Sequence, residues 1–304
     1  MIEKLITKIC SNNSFLSLEV TPSLSADINQ SLINELKSYD FIDAFVCTDS
    51  PLARFKPSSI ISSLKLQNAL SKPVICTLSM RDRNSIALCG DILGVNEFDI
   101  RLFLTLTGDP IKFGDSIESK GVFEGNSAKL SYIISELNKN RAINGKELKS
   151  KINKIYNFNV INSYSNNLFN LADRIHKKIA NNDIYALFSQ PIYTSESAEF
   201  LLENVEMANK IYGRDVKLVF GFFPVTSYKT AIFIKNRLKD VYIPDCYIDG
   251  LEIASSKGRE YEIEKGIELS MQNLNNLKKL HNKFHFMSAT KMNLVRDFFN
   301  LNIS

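Results

Sequence analysis

Eight short, nearly unbroken apolar runs recur along the chain, with longer segments of helical periodicity between them. The runs are FLSLEV (15–20), IDAFVCT (42–48), PVICTLS (73–79), IRLFLTL (100–106), FNVINS (158–163), IYALFSQ (184–190), VKLVFGFF (216–223) and KFHFMS (283–288). They are β-branched and aromatic and lack the alternation of a half-exposed strand, so each reads as a strand buried on both faces. Helical patterns fall at 27–38, 57–69, 84–97, 126–140, 167–181, 195–212, 227–238 and 257–280. In the last of these, Ile263, Ile267, Met271, Leu274 and Leu277 recur at three- and four-residue spacing and mark one apolar face. Thr194 and Ser195 are N-cap candidates for 195–212, with Glu196 suited to the positive helix end. Eight strands with eight helical segments match the count of a (β/α)8 barrel, which takes about 250 residues. A doubly wound open sheet is the rival, because periodicity does not report closure. No G-x-G-x-x-G or P-loop follows any strand, so the nucleotide fingerprints of open sheets are missing. One TIM-barrel domain over 1–304 is expected, with the Lys/Asn-rich stretch at 138–156 as a surface insertion before the fifth strand.

Composition narrows the partners. The chain is 44% hydrophobic and 23% charged, and its net charge of +4 is spread over 37 basic and 33 acidic side chains. No basic block is interleaved with aromatics, so nucleic acid is not an expected partner. Five cysteines without a C-x-x-C pair, and three histidines, argue against a disulfide framework or a Cys/His zinc site, and no metal is expected. Cys47 and Cys76 sit in apolar runs and read as buried thiols. His281 and His285 flank the last strand and read as structural or solvated. The N-terminus lacks a signal-type apolar region, and no run approaches the ~20 apolar residues of a membrane span. A cytoplasmic, reducing setting with no membrane partner is expected.

In a barrel, chemistry gathers at the carboxyl ends of the strands. Those positions hold Glu19, then Thr48 and Asp49, then Ser79, Arg81 and Asp82, then Thr107 and Asp109. Asn162 and Ser163, Gln190, and Phe222 and Phe223 follow. Carboxylates, amides and hydroxyls without a cysteine–histidine cluster suit proton donation by a carboxylic acid and polar recognition of a heterocycle. Glu19 interrupts an apolar strand, where desolvation would keep it protonated as a general acid; a frayed strand end in solvent is the other reading. Gln190 could meet the donor–acceptor edge of a ring or satisfy loop backbone. The cluster Arg81-Asp82-Arg83-Asn84 could bind phosphate or form an N-capped, ion-paired helix start. In LTLTGDPIKFGD, turn chemistry by itself accounts for Gly108, Asp109 and Pro110, and Asp115 reads as a loop residue.

Taken in order, these pieces resemble the methylenetetrahydrofolate reductase family over nearly the whole chain. SLEVTPS is similar to its opening strand, where a Glu precedes a proline-containing turn, and FVCTDS to its second strand. TLSMRDRNSIALCGDILGVNEFDIRLFLTLTGDP resembles the family's C-R-D-R-N helix and closing T-G-D-P. IYALFSQPIY resembles its I-T-Q-P segment, and GFFPVTSYKTAIFIKNRLKDVYIPD its G-x-x-P, Ser-x-x-x-Ala and V-x-I-P series.

The resemblance implies a barrel that binds FAD and uses NADH, NADPH or another donor to reduce 5,10-methylenetetrahydrofolate to 5-methyltetrahydrofolate, or runs the reverse. It implies Glu19 as the acid acting toward folate N10, and Asp109 as the charge beside flavin and folate. Gln190 would bond the pterin. Thr48, Thr77, Leu106, Thr107 and Gly108, together with Asp109, would contact the flavin, and Lys178 its phosphate side. The chain departs from the pattern at Thr77, where the family often has His. Thr230 stands for a second folate-side glutamine and Ile234 for a stacking aromatic, while Val20 and Ser23 replace an aromatic and a proline of the first turn. The partners implied are tetrahydrofolate derivatives, with room for a homo-oligomer or an electron-transfer subunit. The thinned flavin positions keep open a flavin-free folate-binding barrel that serves as carrier or subunit in one-carbon transfer.

Overall fold

Strands that are apolar on both faces need cover on both, and the chain supplies it by closing them on themselves. In the computed structural model, which describes residues 1–27, 29–116, 118–287 and 293–299, eight strands form a closed barrel in chain order. They are β1 (Phe15–Val20), β2 (Ala44–Cys47), β3 (Val74–Ser79), β4 (Leu102–Leu106), β5 (Tyr156–Ile161), β6 (Ala186–Pro191), β7 (Lys217–Phe222) and β8 (Lys283–Phe286). The registered pairs β1–β2, β2–β3, β3–β4, β4–β5 and β7–β8 are all parallel. The expected TIM barrel is therefore the observed fold. Ser288, the last residue of the expected eighth run, lies outside the described residues, as does Ile28 of the first helical pattern.

Helices fall where the periodicity puts them: α2 (Gln30–Lys37), α3 (Ser59–Leu70), α4 (Ser85–Asn96), α5 (Ser127–Asn138), α6 (Leu168–Asn181), α7 (Ser195–Tyr212), α8 (Tyr228–Arg237) and α10 (Arg259–Leu280). Among the described residues three more α-helices lie outside the eight patterns, namely α1 (Ile2–Cys10), α9 (Asp245–Lys257) and α11 (Asn293–Phe299). Thr194 caps α7, its hydroxyl accepting from the Ser197 N–H at 3.2 Å. Asn84 caps α4 by accepting from Ala87 N–H at 2.9 Å, and Arg81 and Arg83 beside it are ion-paired to Asp82, Asp49 and Asp91. The Arg81–Asn84 cluster is thus a capped, ion-paired helix start.

The face of α10 needs correction. Its buried residues are Gly266, Ser270, Asn273, Leu274 and Leu277, while Ile263 is exposed and Ile267 and Met271 are half-buried. A count of apolar spacing misses this face because three of these five residues are small or polar. Gly266 packs so closely on Thr226 that a Cβ would clash with its backbone, and Ser270 bonds the Val225 N–H.

Two compact units are distinguishable: Met1–Asn12, Leu16–Val160 and Asn181–Ala186 form one, and Asn13–Phe15, Ile161–Ala180 and the described residues from Leu187 onward the other. In the first, Cys76, Leu78, Met80 and Phe103 pack with Leu88, Ile92, Leu130 and Ile133 of α4 and α5. Those strand side chains therefore point to the helices, and alternation turns Ile75, Thr77 and Ser79 to the opposite, interior face. Cys47 and Cys76 are fully buried thiols. Residues 139–155 carry no helix or strand beyond a bridge between Arg141 and Glu147, and Ile143, Leu148 and Ile152 anchor this polar stretch on the same core. In the second unit an apolar cluster joins Tyr193, Val225, Ala231, Ile234, Ile243, Tyr247 and Leu251. His285 does not flank its strand but lies within it, buried, and desolvation pushes its pKa down to about 3. His281 donates its Nε2–H to the Leu218 carbonyl, 2.7 Å away, and burial lowers its pKa too.

Candidate active site

The first unit holds most of the strand-end acids. Register carries the interior face across the sheet, since Glu19 pairs with Val46, Val46 with Ile75, and Thr77 with Leu104. Glu19 therefore shares the interior face with Thr77. Among the described residues its carboxyl has neither a hydrogen-bond nor an ion-pair partner, and burial among protein atoms raises its pKa to about 7. The residue keeps partial solvent access, the combination a proton donor needs: desolvated, yet reachable. Thr77 is buried, and its hydroxyl has no partner among the described residues. Thr48, also buried, donates its hydroxyl to Thr21 at 3.2 Å.

Asp49 is the counter-example. It is buried and saturated: its Oδ2 accepts from Ser79 N–H at 3.0 Å, Ser79 Oγ at 2.9 Å and Arg83 at 3.3 Å, and its Oδ1 from Ser59 Oγ at 3.3 Å. This carboxylate ties the ends of β2 and β3 to α3.

Asp109 stands in a tight frame. The Leu52 N–H donates to its Oδ2 at 2.7 Å, and Asp115 accepts from the Phe55 N–H at 3.2 Å. Asp115 thus pins the same turn as Asp109 and is more than a loop residue. That turn is strained, because Ser50, Leu52 and Ala53 all have left-handed φ, at 43°, 55° and 55°. Arg81, 2% exposed, holds it from below by donating Nη1 to the Ser50 carbonyl at 3.1 Å. Gly108 is required here: its φ is +97°, and a Cβ would come within 2.7 Å of Arg81 Cβ. Leu106 is half-buried, and exposed Thr107 accepts from the Ser127 N–H at 3.2 Å at the start of α5. A cavity of about 520 Å³ in this unit is lined by Val20, Pro22, Leu32, Phe55, Ile61 and Lys65. Val20 faces away from the Glu19 side of β1, so this cavity is separate from the acid.

In the second unit Gln190 is half-buried, and its side-chain amide has no partner among the described residues. Its main chain is held firmly. Ser189 Oγ accepts from Gly221 N–H at 2.8 Å and donates to the Gln190 carbonyl at 2.8 Å. Gly221 has no room for a side chain, because a Cβ would press on the Ser189 and Gln190 carbonyls. Thr230 shares a 2.7 Å bond with Ser227, the N-cap of α8, so its hydroxyl serves the helix start. Ile234 is 2% exposed inside the apolar cluster, which gives it a packing role. Lys178 is in the last turn of α6, about 15 Å along the helix from Leu168. Half-burial there, with Arg174 nearby, lowers its pKa to about 8. Sequence reasoning missed Ser189 and Asn273, neutral side chains whose partners are backbone atoms.

Among the described residues no group of three or more His, Cys, Asp or Glu could hold a metal ion, and no helix is long and apolar enough to cross a membrane. No curated protein matches the chain. Among solved structures, an uncharacterized protein from Clostridium thermocellum, described as binding two copies of 5-methyl-5,6,7,8-tetrahydrofolic acid, is similar with a TM-score of 0.67. Identity is 16%, over 98% of this chain and 99% of that one. EDTA monooxygenase from Chelativorans sp. BNC1 has a TM-score of 0.54 at 11% identity, over 95% of this chain and 93% of that one. DmoA from Hyphomicrobium sulfonivorans has 0.55 at 8% identity, over 95% and 87%. At these identities the likeness is one of fold. The methylenetetrahydrofolate reductase family model matches residues 3–300, essentially the whole barrel, and the chain belongs to that family.

Proposed function

We propose that the chain reduces 5,10-methylenetetrahydrofolate to 5-methyltetrahydrofolate, or runs the reverse oxidation, as a flavoenzyme. The observation that carries this reading is Glu19: an interior carboxyl at a strand end, without a partner among the described residues, whose pKa burial raises to about 7. A group so tuned holds its proton near neutral pH and still releases it. Glu19 gives that proton toward folate N10, which opens the five-membered ring to a 5-iminium cation. Asp109, one oxygen fixed by Leu52 N–H, keeps its negative charge aimed at the developing cation. The Gln190 amide, free to offer both a donor and an acceptor, recognises the pterin edge.

The first unit's residues fit a flavin in kind. Thr77 offers an unspent hydroxyl, Leu106 half-buried apolar surface, and Gly108 bare main chain at a strand end. Thr48, Thr77, Leu106, Thr107, Gly108 and Asp109 would hold FAD, with Lys178 toward its phosphates. Bound there, FAD would supply the hydride, with NADH, NADPH or another donor as the electron source. Thr230 and Ile234, engaged in capping and packing, leave the second unit's folate contact to Gln190.

One observation favours a second reading, a flavin-free folate carrier or subunit: Ile234 is sealed in the core and can stack on nothing. The ligand described for the Clostridium thermocellum protein is compatible with either. An absorbance spectrum of the purified protein separates them. Flavin bands altered by added 5-methyltetrahydrofolate support the enzyme; a colourless protein that binds this folate in calorimetry selects the carrier.

A further inference from the structure

Three consecutive carbonyls at the end of β6 each accept from a buried side chain of a different origin. The Gln190 carbonyl takes Ser189 Oγ at 2.8 Å, the Pro191 carbonyl takes Ser163 Oγ at 2.6 Å, and the Ile192 carbonyl takes Asn273 Nδ2 at 2.8 Å. Ser163 follows β5, and Asn273 lies on α10, 81 residues from its acceptor. The Ile192 N–H meanwhile donates to the Gly221 carbonyl at 3.1 Å. Ser163, Ser189 and Asn273 are 3%, 1% and 8% exposed. Buried hydroxyls and amides must find partners, and here all three are directed at one short piece of main chain. A proline at 191 offers no N–H to extend the strand pairing, so side chains do the fixing. The outcome is a rigid main chain under a Gln190 amide that has no partner among the described residues.

We infer that Asn273 is a positioning residue for Gln190: through the Ile192 carbonyl, and together with Ser163 and Ser189, it fixes the main chain from which Gln190 reaches the ligand. An amide that must present donor and acceptor together loses affinity when its stem can wander, so a remote clamp acts on binding. An amide NH₂ donates to a carbonyl without bringing a charge into a buried place, which suits an asparagine to a helix face otherwise made of Gly, Ser and Leu. This inference rests on the assignment of Gln190 to the pterin.

A double-mutant cycle tests it, with 5-methyltetrahydrofolate titrated calorimetrically into wild type, Asn273→Ala, Gln190→Ala and the double variant. Asn273→Ala is expected to weaken binding about tenfold, the loss of one well-made hydrogen bond. In the Gln190→Ala background the same change is expected to have almost no further effect. An equal loss in both backgrounds overturns the inference, since Asn273 would then act on the fold and not through Gln190. Hydrogen exchange at the Ile192 amide reads the clamp without any folate and is expected to speed up about tenfold in Asn273→Ala. Unchanged exchange overturns the clamp, whereas fast exchange with no folate binding by wild type overturns the reading of Gln190 and leaves the clamp standing. Ser163→Ala, which removes the donor to Pro191, repeats both measurements should Asn273→Ala fail to fold, with the same outcomes deciding.

Discussion

The ends of β1 and β2 carry one carboxylate each, and the two live in opposite circumstances. Asp49 accepts from Ser79 twice, Ser59 and Arg83, so its charge is balanced and its oxygens are spent. Glu19, on the interior face of the adjacent strand, has no such partner among the described residues, and burial raises its pKa to about 7. A saturated acid can hold a fold together but has nothing left to give a substrate. An unsatisfied one weakens the fold and can move a proton. On the proposed reading Asp49 serves architecture and Glu19 chemistry, and each half can be broken by experiment.

The largest effect is expected at Glu19. Glu19→Gln removes the transferable proton and keeps the shape, so folate turnover is expected to fall by roughly 10²–10⁴-fold. Flavin reduction by NADH or NADPH needs no acid toward folate N10 and should keep its wild-type rate. Stopped-flow measurement of the two half-reactions checks this, and equal losses in both would remove Glu19 from the acid role.

Stability sharpens the contrast, because the two substitutions should act with opposite signs. Asp49→Ala leaves the Ser79 N–H and Arg83 without their acceptor and is expected to cost about 3 kcal/mol in denaturant unfolding. Glu19→Gln should stabilise, and only at higher pH. Below about 4.5, the unshifted value, Glu19 is protonated folded or unfolded and makes no difference. Between there and about 7 the unfolded chain releases the proton first, so wild-type stability falls as pH rises. Above 7 the whole penalty remains, on the order of 3 kcal/mol, and the variant lacks it. Urea curves at pH 4.5, 6 and 8 should show the gap open across that window; a constant gap would mean that Glu19 titrates normally.

The fold was readable because burial on both faces leaves a long local signature: strand positions followed from unbroken apolar runs such as FLSLEV and VKLVFGFF. Helix α9 escaped because its buried residues Tyr247, Ile248, Leu251 and Ala254 are diluted by Gly250 and two serines. The site was readable as residue types at strand ends, and no further. Nothing local distinguishes Glu19 from Asp49, since the difference lies in partners contributed by β3, α3 and Arg83. Asn273 and Ser189 are invisible for the same reason, being ordinary polar letters whose acceptors are main-chain atoms. The strained turn at 50–53 is likewise hidden, because Ser50, Leu52 and Ala53 are not residues that announce a left-handed φ.

That turn gives the smallest expected effect and a check on how Asp109 is held. Leu52 sits at φ 55° and ψ 28°, a conformation costing a non-glycine residue about 1–2 kcal/mol. It persists because Asp109 accepts its N–H, Arg81 holds the Ser50 carbonyl, and Gly114 lets Ala53 pack closely. Leu52→Gly keeps the N–H and removes the Cβ penalty, while the added freedom of the unfolded chain returns about 0.5–1 kcal/mol of it. The net expectation is a gain of up to about 1 kcal/mol, read as a higher urea midpoint at unchanged slope. A loss of that size would show that the half-buried Leu52 side chain packs more favourably than its backbone is strained. The frame around Asp109 would then rest on apolar contact, as the architecture around Asp49 rests on hydrogen bonds, and the turn would hold no strain to release.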